Sequence, residues 1–382
     1  MTANDPGSRS GPRPALRVIL AVIVACGLAP AFSFAQGAGE IRWRLASSFP
    51  KSLDTIFGAS EFLAKRVADA SGGKFQIRPF AAGEIVPGLQ VADAVSNGTV
   101  ECGHTASYYY IGKDPTYALG TTVPFGPNAR QFNSWWVQGG GEALMNEFYR
   151  EHNLHGLLCG NTGAQMGGWF RKEIKSAADL KGLKIRIAGL AGQVLTKLGA
   201  VTQQIAGGEI YQALERGTID ATEWVGPYDD EKLGFNKVAK YYYYPAFWEG
   251  GAALQVFVNT RAWDGLPKEY RAILEAATAE ANTWMLTRYD TLNSGALKRM
   301  VGGGTQLRAF PRAVMDACYK ESLALYADIG AKNPRFAKIH GHMMKFLEEQ
   351  ILWFRVAEAN YDSYMQTGRK APAAPAKAAP KK

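Results

Sequence analysis

Two charged side chains beside apolar segments are the first candidates for chemistry in this sequence. Arg186 follows Lys184 at strand spacing, so both side chains project from the same face of a predicted strand. A guanidinium presents a planar fork that binds a carboxylate through two hydrogen bonds. Glu223 stands beside the bulky Trp224, and a buried carboxylate needs a positive partner. An anion site at Arg186 is one interpretation; a surface arginine, and a Glu223 paired with a nearby lysine or arginine, are the alternatives.

Motifs of known enzyme classes are missing from the sequence. His340 and His342 are spaced i, i+2 on a predicted helix, so their rings point to different faces. We find no Gly-x-Ser-x-Gly elbow, no Walker loop and no His-Glu-x-x-His. Cys102, Cys159 and Cys318 are widely spaced and are predicted to be small buried hydrophobes. Because a reaction needs a positioned base or nucleophile, a binding protein is favoured over an enzyme, with a periplasmic hydrolase or lyase as the alternative.

The net charge of the chain is concentrated at its two ends. The 382 residues include 43 Lys+Arg and 34 Asp+Glu, which give a formal net charge of +9. Residues 1–35 carry +2 and residues 369–382 carry +5, so only +2 remains on residues 36–368. A nucleic-acid-binding protein needs a basic face repeated across its fold. The sequence therefore predicts no nucleic-acid partner.

The two ends have the composition of processing and tail segments. An arginine-bearing start, a short apolar run over 18–28 and the small residues Ser33 and Ala35 predict a signal peptide over 1–35 and a periplasmic protein. Cys26 closes a lipoprotein-like box, so a lipid anchor is the less favoured alternative. Residues 367–382 are rich in Ala, Pro and Lys and are predicted to be disordered.

The body of the chain alternates short apolar strands with amphipathic helices up to about residue 260, and is helical after that. Two β-α-β runs, separated by a long connection, predict two α/β lobes. The predicted divisions are lobe I at 36–160 (with part of 250–300 returning to it), lobe II at 161–250, lobe-crossing strands and helices at 251–333, and a long helix with an apolar face at 334–366.

Three segments resemble the signature motifs of one family. They are Ser176-Ala-Ala-Asp-Leu-Lys-Gly-Leu-Lys-Ile-Arg186, Gln212-Ala-Leu-Glu-Arg-Gly-Thr-Ile-Asp-Ala-Thr-Glu223 and Val258-Asn-Thr-Arg-Ala-Trp-Asp-Gly-Leu-Pro267. In order and spacing, over about 40–330, they are similar to the extracytoplasmic solute receptors of TRAP transporters. The resemblance implies a two-lobed periplasmic-binding-protein fold that closes on a small organic anion. It also implies delivery to the small and large membrane subunits of a permease.

Further residues resemble the subgroup of these receptors that binds 2-oxo monocarboxylates. They are Ala106-Ser-Tyr-Tyr-Tyr110, Gln165, Glu223-Trp224 and Trp248-Glu249. The subgroup implies a pyruvate-like ligand and a homodimer formed through the long C-terminal helix, whose apolar face must also be buried. Another small carboxylate, such as a 2-hydroxy acid bound with calcium, is the alternative ligand.

The resemblance assigns roles to the polar residues. Arg186 would bind the carboxylate of the ligand. Gln165 would offer an amide oxygen, Glu223 a carboxylate and Trp224 a backbone carbonyl to a cation that separates Glu223 from the anionic ligand. Ligation by oxygen alone suits a hard cation. In the subgroup that cation is sodium, and calcium is the alternative.

Aromatic residues complete the predicted pocket. The subgroup favours Tyr108 and Tyr109 as hydrogen-bond donors to the ligand, while packing is expected for at least one tyrosine of this run. Trp224 and Trp248 would form walls. Glu249 would accept from a backbone group or contact the tail of the ligand.

Overall fold

The computed structural model describes residues 39–368. The predicted signal peptide over 1–35, the anchor at Cys26 and all but the first two residues of the predicted tail lie outside this range. Within residues 39–368, no helix combines the length and the apolar character that a membrane span requires.

The strands of the described range form two sheets. In chain order they are β1 (Ile41–Ser47), β2 (Phe75–Phe80), β3 (Cys102–Thr105), β4 (Leu154–Asn161), β5 (Trp169–Phe170), β6 (Lys184–Arg186), β7 (Val201–Gln203), β8 (Ala221–Thr222), β9 (Tyr241–Tyr244), β10 (Ala253–Asn259) and β11 (Gln306–Ala309). The first sheet has the order β2-β1-β3-β10-β4, and the second has the order β11-β9-β5-β8-β6-β7. Each sheet forms the centre of one lobe.

Both sheets are mixed. In the first, β1 runs parallel to β2 and β3, as the first predicted β-α-β run requires, whereas β10 is antiparallel to β3 and β4. In the second, β6 runs parallel to β7 and β8, and β5 is antiparallel to β8 and β9. The parallel arrangement of β6 and β8 brings their carboxyl ends side by side, which matters for the site described below.

The helices cover these sheets. In chain order they are α1 (Gly58–Ala70), α2 (Val91–Ser96), α3 (Ala129–Val137), α4 (Gly141–Arg150), α5 (Leu190–Lys197), α6 (Ile210–Glu215), α7 (Pro227–Leu233), α8 (Thr260–Gly265), α9 (Lys268–Gly302), α10 (Arg312–Lys332), α11 (Pro334–Phe354) and α12 (Asn360–Thr367). The 35-residue α9 contacts α1 and β4 of the first lobe and α7 of the second, so it runs from one lobe to the other.

Each lobe has its own aromatic core. In the first, the ring of Phe75 contacts those of Trp43 at 5.0 Å and Tyr270 of α9 at 5.4 Å. In the second, Trp169 stacks on Tyr242 with ring centroids 4.0 Å apart. Burial of a large apolar side chain contributes about 2 kcal/mol, so such ring contacts help to stabilise each lobe. The predicted lobe boundaries stay predictions.

The predicted C-terminal helix is confirmed, with one irregularity. A π-helical turn at Arg355–Ala359 separates α11 from α12. The start of α11 buries Phe336, Ile339 and Met343 against the body of the protein. From Ile351 onward its large apolar side chains are exposed. The apolar face is therefore only partly covered within this chain.

Candidate functional site

Arg186 and Glu223 meet at the carboxyl ends of two neighbouring strands. Arg186 ends β6, Glu223 directly follows β8, and the amide of Glu223 donates to the carbonyl of Arg186 at 3.2 Å. Both side chains are buried, with 1% and 0% exposure, and form an ion pair between Arg186 Nη1 and Glu223 Oε1. The alternative of a surface arginine is wrong, and Glu223 does have an arginine partner.

The guanidinium of Arg186 is held in one orientation. Its Nε donates to the carbonyl of Ile205 at 3.0 Å, and Nη1 also donates to the carbonyl of Glu223 at 3.1 Å. The face of Trp224 lies 5.1 Å from the guanidinium carbon. Burial alone would lower the pKa of Arg186, but Glu223 and the neighbouring tyrosines raise it. The arginine is therefore a fixed positive charge.

Two buried polar atoms of this pair and one of Gln165 have no partner in hydrogen-bond geometry in the described part of the chain. They are Arg186 Nη2, Glu223 Oε2 and Gln165 Oε1, although Arg186 is close enough to Tyr109 to oppose the rise in the pKa of that tyrosine. Burial of an unpartnered polar atom costs about 1–3 kcal/mol, so three together indicate groups that bind something else. Burial raises the pKa of Glu223, while Arg186 and the amide of Ala188, which donates to Oε1 at 3.0 Å, oppose that rise.

The oxygen donors fit the predicted cation. Glu223 Oε2 and Gln165 Oε1 are acceptors, and the Trp224 carbonyl accepts no hydrogen bond within residues 39–368. Gln165 Nε2 donates to Thr162 Oγ1 at 3.0 Å, which fixes the amide and leaves its oxygen for the ligand. No group of three His, Cys, Asp or Glu residues that could hold a metal occurs in the described range. The donor set is therefore carboxylate, amide and carbonyl oxygen, which suits a hard cation.

The tyrosines reach the site from the first lobe. They form a helical turn at Ser107–Tyr110, directly after β3. The Tyr110 hydroxyl lies 2.9 Å from Thr105 Oγ1 and accepts from the Ala92 amide, so this tyrosine has a packing role. Burial raises the pKa of Tyr108 and Tyr109, and their rings stack at 5.2 Å. Both hydroxyls are therefore protonated donors at neutral pH.

The second lobe closes tightly over these rings. Gly189 has a φ of +67°, and a Cβ atom there would lie 2.6 Å from the ring of Tyr108. Gln204 Nε2 donates to the carbonyl of Tyr109 at 3.1 Å. A cavity of only about 10 Å³ remains at this point, and Tyr108, Tyr109, Gln165 and Trp224 line it together with apolar side chains. The structure is thus that of a closed cleft.

Arg186, Glu223, Trp248 and Glu249 are all buried, and none of the four is among the residues that line this cavity. Trp248 packs on Phe247 and Phe310 with ring centroids 4.5 Å and 5.6 Å away, so the structure places it in an aromatic cluster. Burial, together with the charge of Glu223, raises the pKa of Glu249 well above its usual range. Tyr108 favours the charged form of Glu249 and so opposes this rise in pKa, although neither carboxyl oxygen of Glu249 has a partner in hydrogen-bond geometry.

Sequence reasoning missed two aspartates behind Trp224. Asp229 Oδ2 accepts from Tyr289 of α9 at 2.7 Å and from the Trp224 indole at 3.4 Å. Asp230 Oδ2 accepts from Tyr242 at 2.6 Å and Trp169 at 2.9 Å. Both lie in the first turn of α7, which begins with a proline; that Pro-x-Asp-Asp start was the available signal.

The comparisons with known proteins agree with the resemblance in the motifs. The family model for bacterial extracellular solute-binding proteins, family 7 (DctP), matches residues 46–333. The chain belongs to this family. It is therefore an extracytoplasmic solute receptor of the TRAP-transporter type and not an enzyme.

Three similar proteins are close in sequence or structure. A monocarboxylate 2-oxoacid-binding periplasmic protein of Nostoc sp. is 51% identical, over 93% of this chain and 97% of the relative. A TRAP transporter solute-binding protein from Bordetella bronchiseptica, described as a dimer with calcium and picolinate, is 52% identical with a TM-score of 0.86, over 87% and 98% of the two chains. One from Pseudoalteromonas atlantica, with bound sodium and pyruvate, is 40% identical with a TM-score of 0.82, over 86% and 99%.

Proposed function

We propose that this receptor binds a pyruvate-like 2-oxo monocarboxylate together with a cation and delivers it to the small and large subunits of a TRAP permease. The observation that carries the proposal is the set of unpartnered buried atoms Arg186 Nη2, Glu223 Oε2 and Gln165 Oε1. One donor and two acceptors are what a carboxylate and a cation would satisfy. The ligands of the Nostoc and Pseudoalteromonas relatives support the same class.

In this proposal each protein residue contacts a different part of the ligand. Arg186 binds the carboxylate through Nη2, because its other nitrogens are held by Ile205 and Glu223. Tyr108 and Tyr109 donate to ligand oxygens from the opposite lobe. Trp224 walls the pocket, and Glu249, with its raised pKa, contacts the remaining part of the ligand.

A cation held by Gln165, Glu223 and the Trp224 carbonyl supplies the positive charge that an anionic ligand next to Glu223 requires. We propose sodium, the ion described for the Pseudoalteromonas relative, with calcium, described for the Bordetella relative, as the alternative. A 2-oxo acid offers such a cation its oxo oxygen together with one carboxylate oxygen. A plain fatty acid has only its carboxylate and therefore leaves the cation with one oxygen ligand fewer. This difference is the proposed basis of selection for the oxo group.

Closure of the two lobes is the proposed mechanism of capture. The tyrosines belong to one lobe, whereas Arg186, Glu223 and Trp224 belong to the other, so a ligand that contacts both groups stabilises the closed form. We propose lobe boundaries at 36–160 and 161–250, with 251–333 crossing between the lobes.

We propose that the receptor is a homodimer. Exposed large apolar side chains are concentrated in the second half of α11, the π-helical turn and α12, and comprise Ile351, Leu352, Trp353, Val356, Tyr361 and Tyr364. Each is 45–69% exposed, and a concentration of exposed apolar side chains marks an interaction surface. The Bordetella relative is described as a dimer.

The proposed location is the periplasm, reached through the signal peptide at 1–35. Cleavage after Ala35 is favoured over lipidation at Cys26, because the residues that follow Cys26 are apolar and a tether should be polar.

A thermal-shift screen of small carboxylates tests the ligand class. At fixed sodium, pyruvate and longer 2-oxo acids should raise Tm, because a ligand that binds only the native state stabilises it. Propanoate, the matched acid without the oxo group, should not. A shift by lactate alone, and only with calcium, would point to the 2-hydroxy acid alternative. Loss of pyruvate during incubation, followed by mass spectrometry, would contradict a receptor.

A further inference from the structure

Helix α7 is tied to both lobes and to the back of the ligand site. We propose that Asp54 and Asp229 are positioning residues: Asp54 fastens α7 from the first lobe, and Asp229, which belongs to α7, holds Trp224. The proposal deepens the receptor function, since it rests on the lobe closure and the ligand site proposed above. Neither aspartate contacts the ligand cavity.

Asp54 is the centre of an ion cluster between the lobes. It lies in the segment after β1, and its carboxylate accepts from Lys232 and Tyr228 of α7 and from Arg288 of α9. The distances to the Tyr228 hydroxyl and to Arg288 Nη2 are both 3.1 Å. Burial alone would raise the pKa of Asp54, but these three neighbours together lower it. The carboxylate is therefore charged and shared by two cations and one hydroxyl.

The cluster stands where α9 passes from one lobe to the other. Trp284 of α9 packs on Phe62 of the first lobe at 5.2 Å, whereas Asn293 accepts from the Tyr228 amide of α7 at 3.0 Å. Arg288 lies between them and donates to Thr55 Oγ1 as well as to Asp54. A change in the angle between the lobes would act on the contacts of Asp54 with α7.

Asp229 transmits the position of α7 to the site. It is fully buried, and one of its oxygens accepts from both Tyr289 and the Trp224 indole. Its other oxygen, Oδ1, has no partner among the described residues. Trp224 in turn carries the proposed carbonyl ligand, and its ring faces Arg186. Displacement of α7 would therefore displace the wall of the pocket.

The kinetics of ligand release test the role of Asp54. In Asp54→Asn the charge is lost while an acceptor for Tyr228 remains, and we expect pyruvate to dissociate about fivefold faster with little change in the association rate, as measured by stopped-flow tryptophan fluorescence. Asp69→Asn, which breaks an exposed ion pair with Lys65 in the same lobe, is the matched control. Lys232→Met should also speed release. In the double variant with Asp54→Asn, it should raise the dissociation rate by a smaller factor than it does in the otherwise wild-type protein.

A readout without ligand tests the role of Asp229. Iodide quenching of Trp224 fluorescence is obtained by subtracting the signal of the same protein carrying Trp224→Phe. It should show a shielded indole in the wild type and in Asp229→Asn. Asp229→Ala should expose it. This result does not depend on pyruvate being the ligand, so it separates the inference from the proposed function.

Two results would overturn the proposal. One is a dissociation rate in Asp54→Asn equal to that of Asp69→Asn. The other is an indole that stays equally shielded in Asp229→Ala, provided that circular dichroism shows each variant to be folded; if Asp229→Ala does not fold, Asp229→Ser replaces it in the same comparison.

Discussion

At the scale of single residues, one buried arginine forms the internal ion pair of the site and also has a nitrogen left for a ligand. Arg186 neutralises Glu223 through Nη1 and leaves Nη2 for a ligand. Removal of one member of a buried pair leaves an uncompensated charge, which costs about 3–5 kcal/mol. The same side chain should therefore affect both ligand binding and stability, and the two effects must be measured separately.

Substitution of Arg186 should abolish binding. We expect no detectable pyruvate binding by calorimetry for Arg186→Ala, and a free energy of unfolding about 3 kcal/mol lower because Glu223 loses its partner. Arg186→Lys keeps the charge but lacks the planar fork that lets the guanidinium contact Ile205, Glu223 and the ligand at once, so it should fold better and still bind poorly. Lys184→Ala, two residues away on an exposed position of β6, is the control. Wild-type affinity in Arg186→Lys would contradict the role of the fork.

Substitution of Glu223 should remove the dependence on the cation. In Glu223→Gln the anionic donor is lost while the shape is kept, so binding should be weaker and should respond little to added sodium. Titration of pyruvate at two sodium concentrations checks this, with exposed Glu215→Gln as the control. A variant whose affinity still rises with sodium, as the wild type's should, would show that Glu223 does not hold the cation.

At the scale of elements, α7 is a short helix with an unusual buried end. Its first turn contains Asp229 and Asp230, both fully buried. Burial raises the pKa of Asp230 to about 7, although hydrogen bonds from Tyr242 and Trp169 oppose the rise and the charge of Asp229 adds to it. The pKa of Asp229 is raised to about 6, chiefly by burial.

The raised pKa of Asp230 predicts how the free energy of unfolding depends on pH. An aspartate of the unfolded chain titrates near 4. Between pH 4 and 7 the native state therefore holds a proton on Asp230 that the unfolded chain has lost, so the contribution of this group falls as the pH rises through that window. In Asp230→Asn this loss is absent. The free energy of unfolding of the variant, relative to wild type, should increase by about 3 kcal/mol from pH 5 to pH 8 in urea titrations. Parallel profiles would contradict the prediction.

Some of the strands and helices follow from sequence patterns, and others do not. Strands β1, β2 and β4 follow from alternation or apolar runs, and α1 from helical spacing that ends at two glycines. No element is predicted over 129–150, where α3 and α4 form, although Asn128 and Gln131 make a capping box at the start of α3. Helix α7 is too short and polar for its periodicity to be recognised, because its stability comes from tertiary contacts.

The site was predictable as a set of residues but not as an arrangement. The motifs name Arg186 and Glu223, which form an ion pair, and the subgroup resemblance adds Gln165, which lines a cavity with Trp224. That Arg186 and Glu223 pair directly depends on the parallel register of β6 and β8, which no local pattern fixes. The packing of Trp248 among aromatic side chains, and the support of Trp224 by Asp229, likewise depend on segments distant in sequence.

At the scale of the whole molecule, the second half of α11, the π-helical turn and α12 present the exposed apolar side chains that we propose a second copy covers. The attachment of this segment to the body includes an ion pair between Arg130 and Glu358, with the Arg130 guanidinium carbon 4.3 Å from the centre of the Phe354 ring. The first half of α11 is already buried, so removal of the entire helix would expose the core. Point substitutions are the cleaner probe.

A charge on the exposed surface should separate the subunits. Leu352→Glu and Trp353→Glu place a carboxylate where the side chains are 67% and 59% exposed in the single chain, so folding should be unaffected while the dimer is lost. Light scattering after size exclusion measures the mass. Leu323→Glu, an equally apolar exposed position on α10, should stay dimeric. A wild-type protein that is monomeric at micromolar concentration would contradict the proposed dimer.

We propose that one small acid and one cation bind together in the cleft between the lobes. Isothermal titration calorimetry of pyruvate, with and without sodium at constant ionic strength, tests it most directly. We predict micromolar or tighter binding with sodium and a loss of at least tenfold in affinity without any hard cation, with calcium as the alternative that restores it. Equal affinity in the complete absence of sodium and calcium would contradict the account.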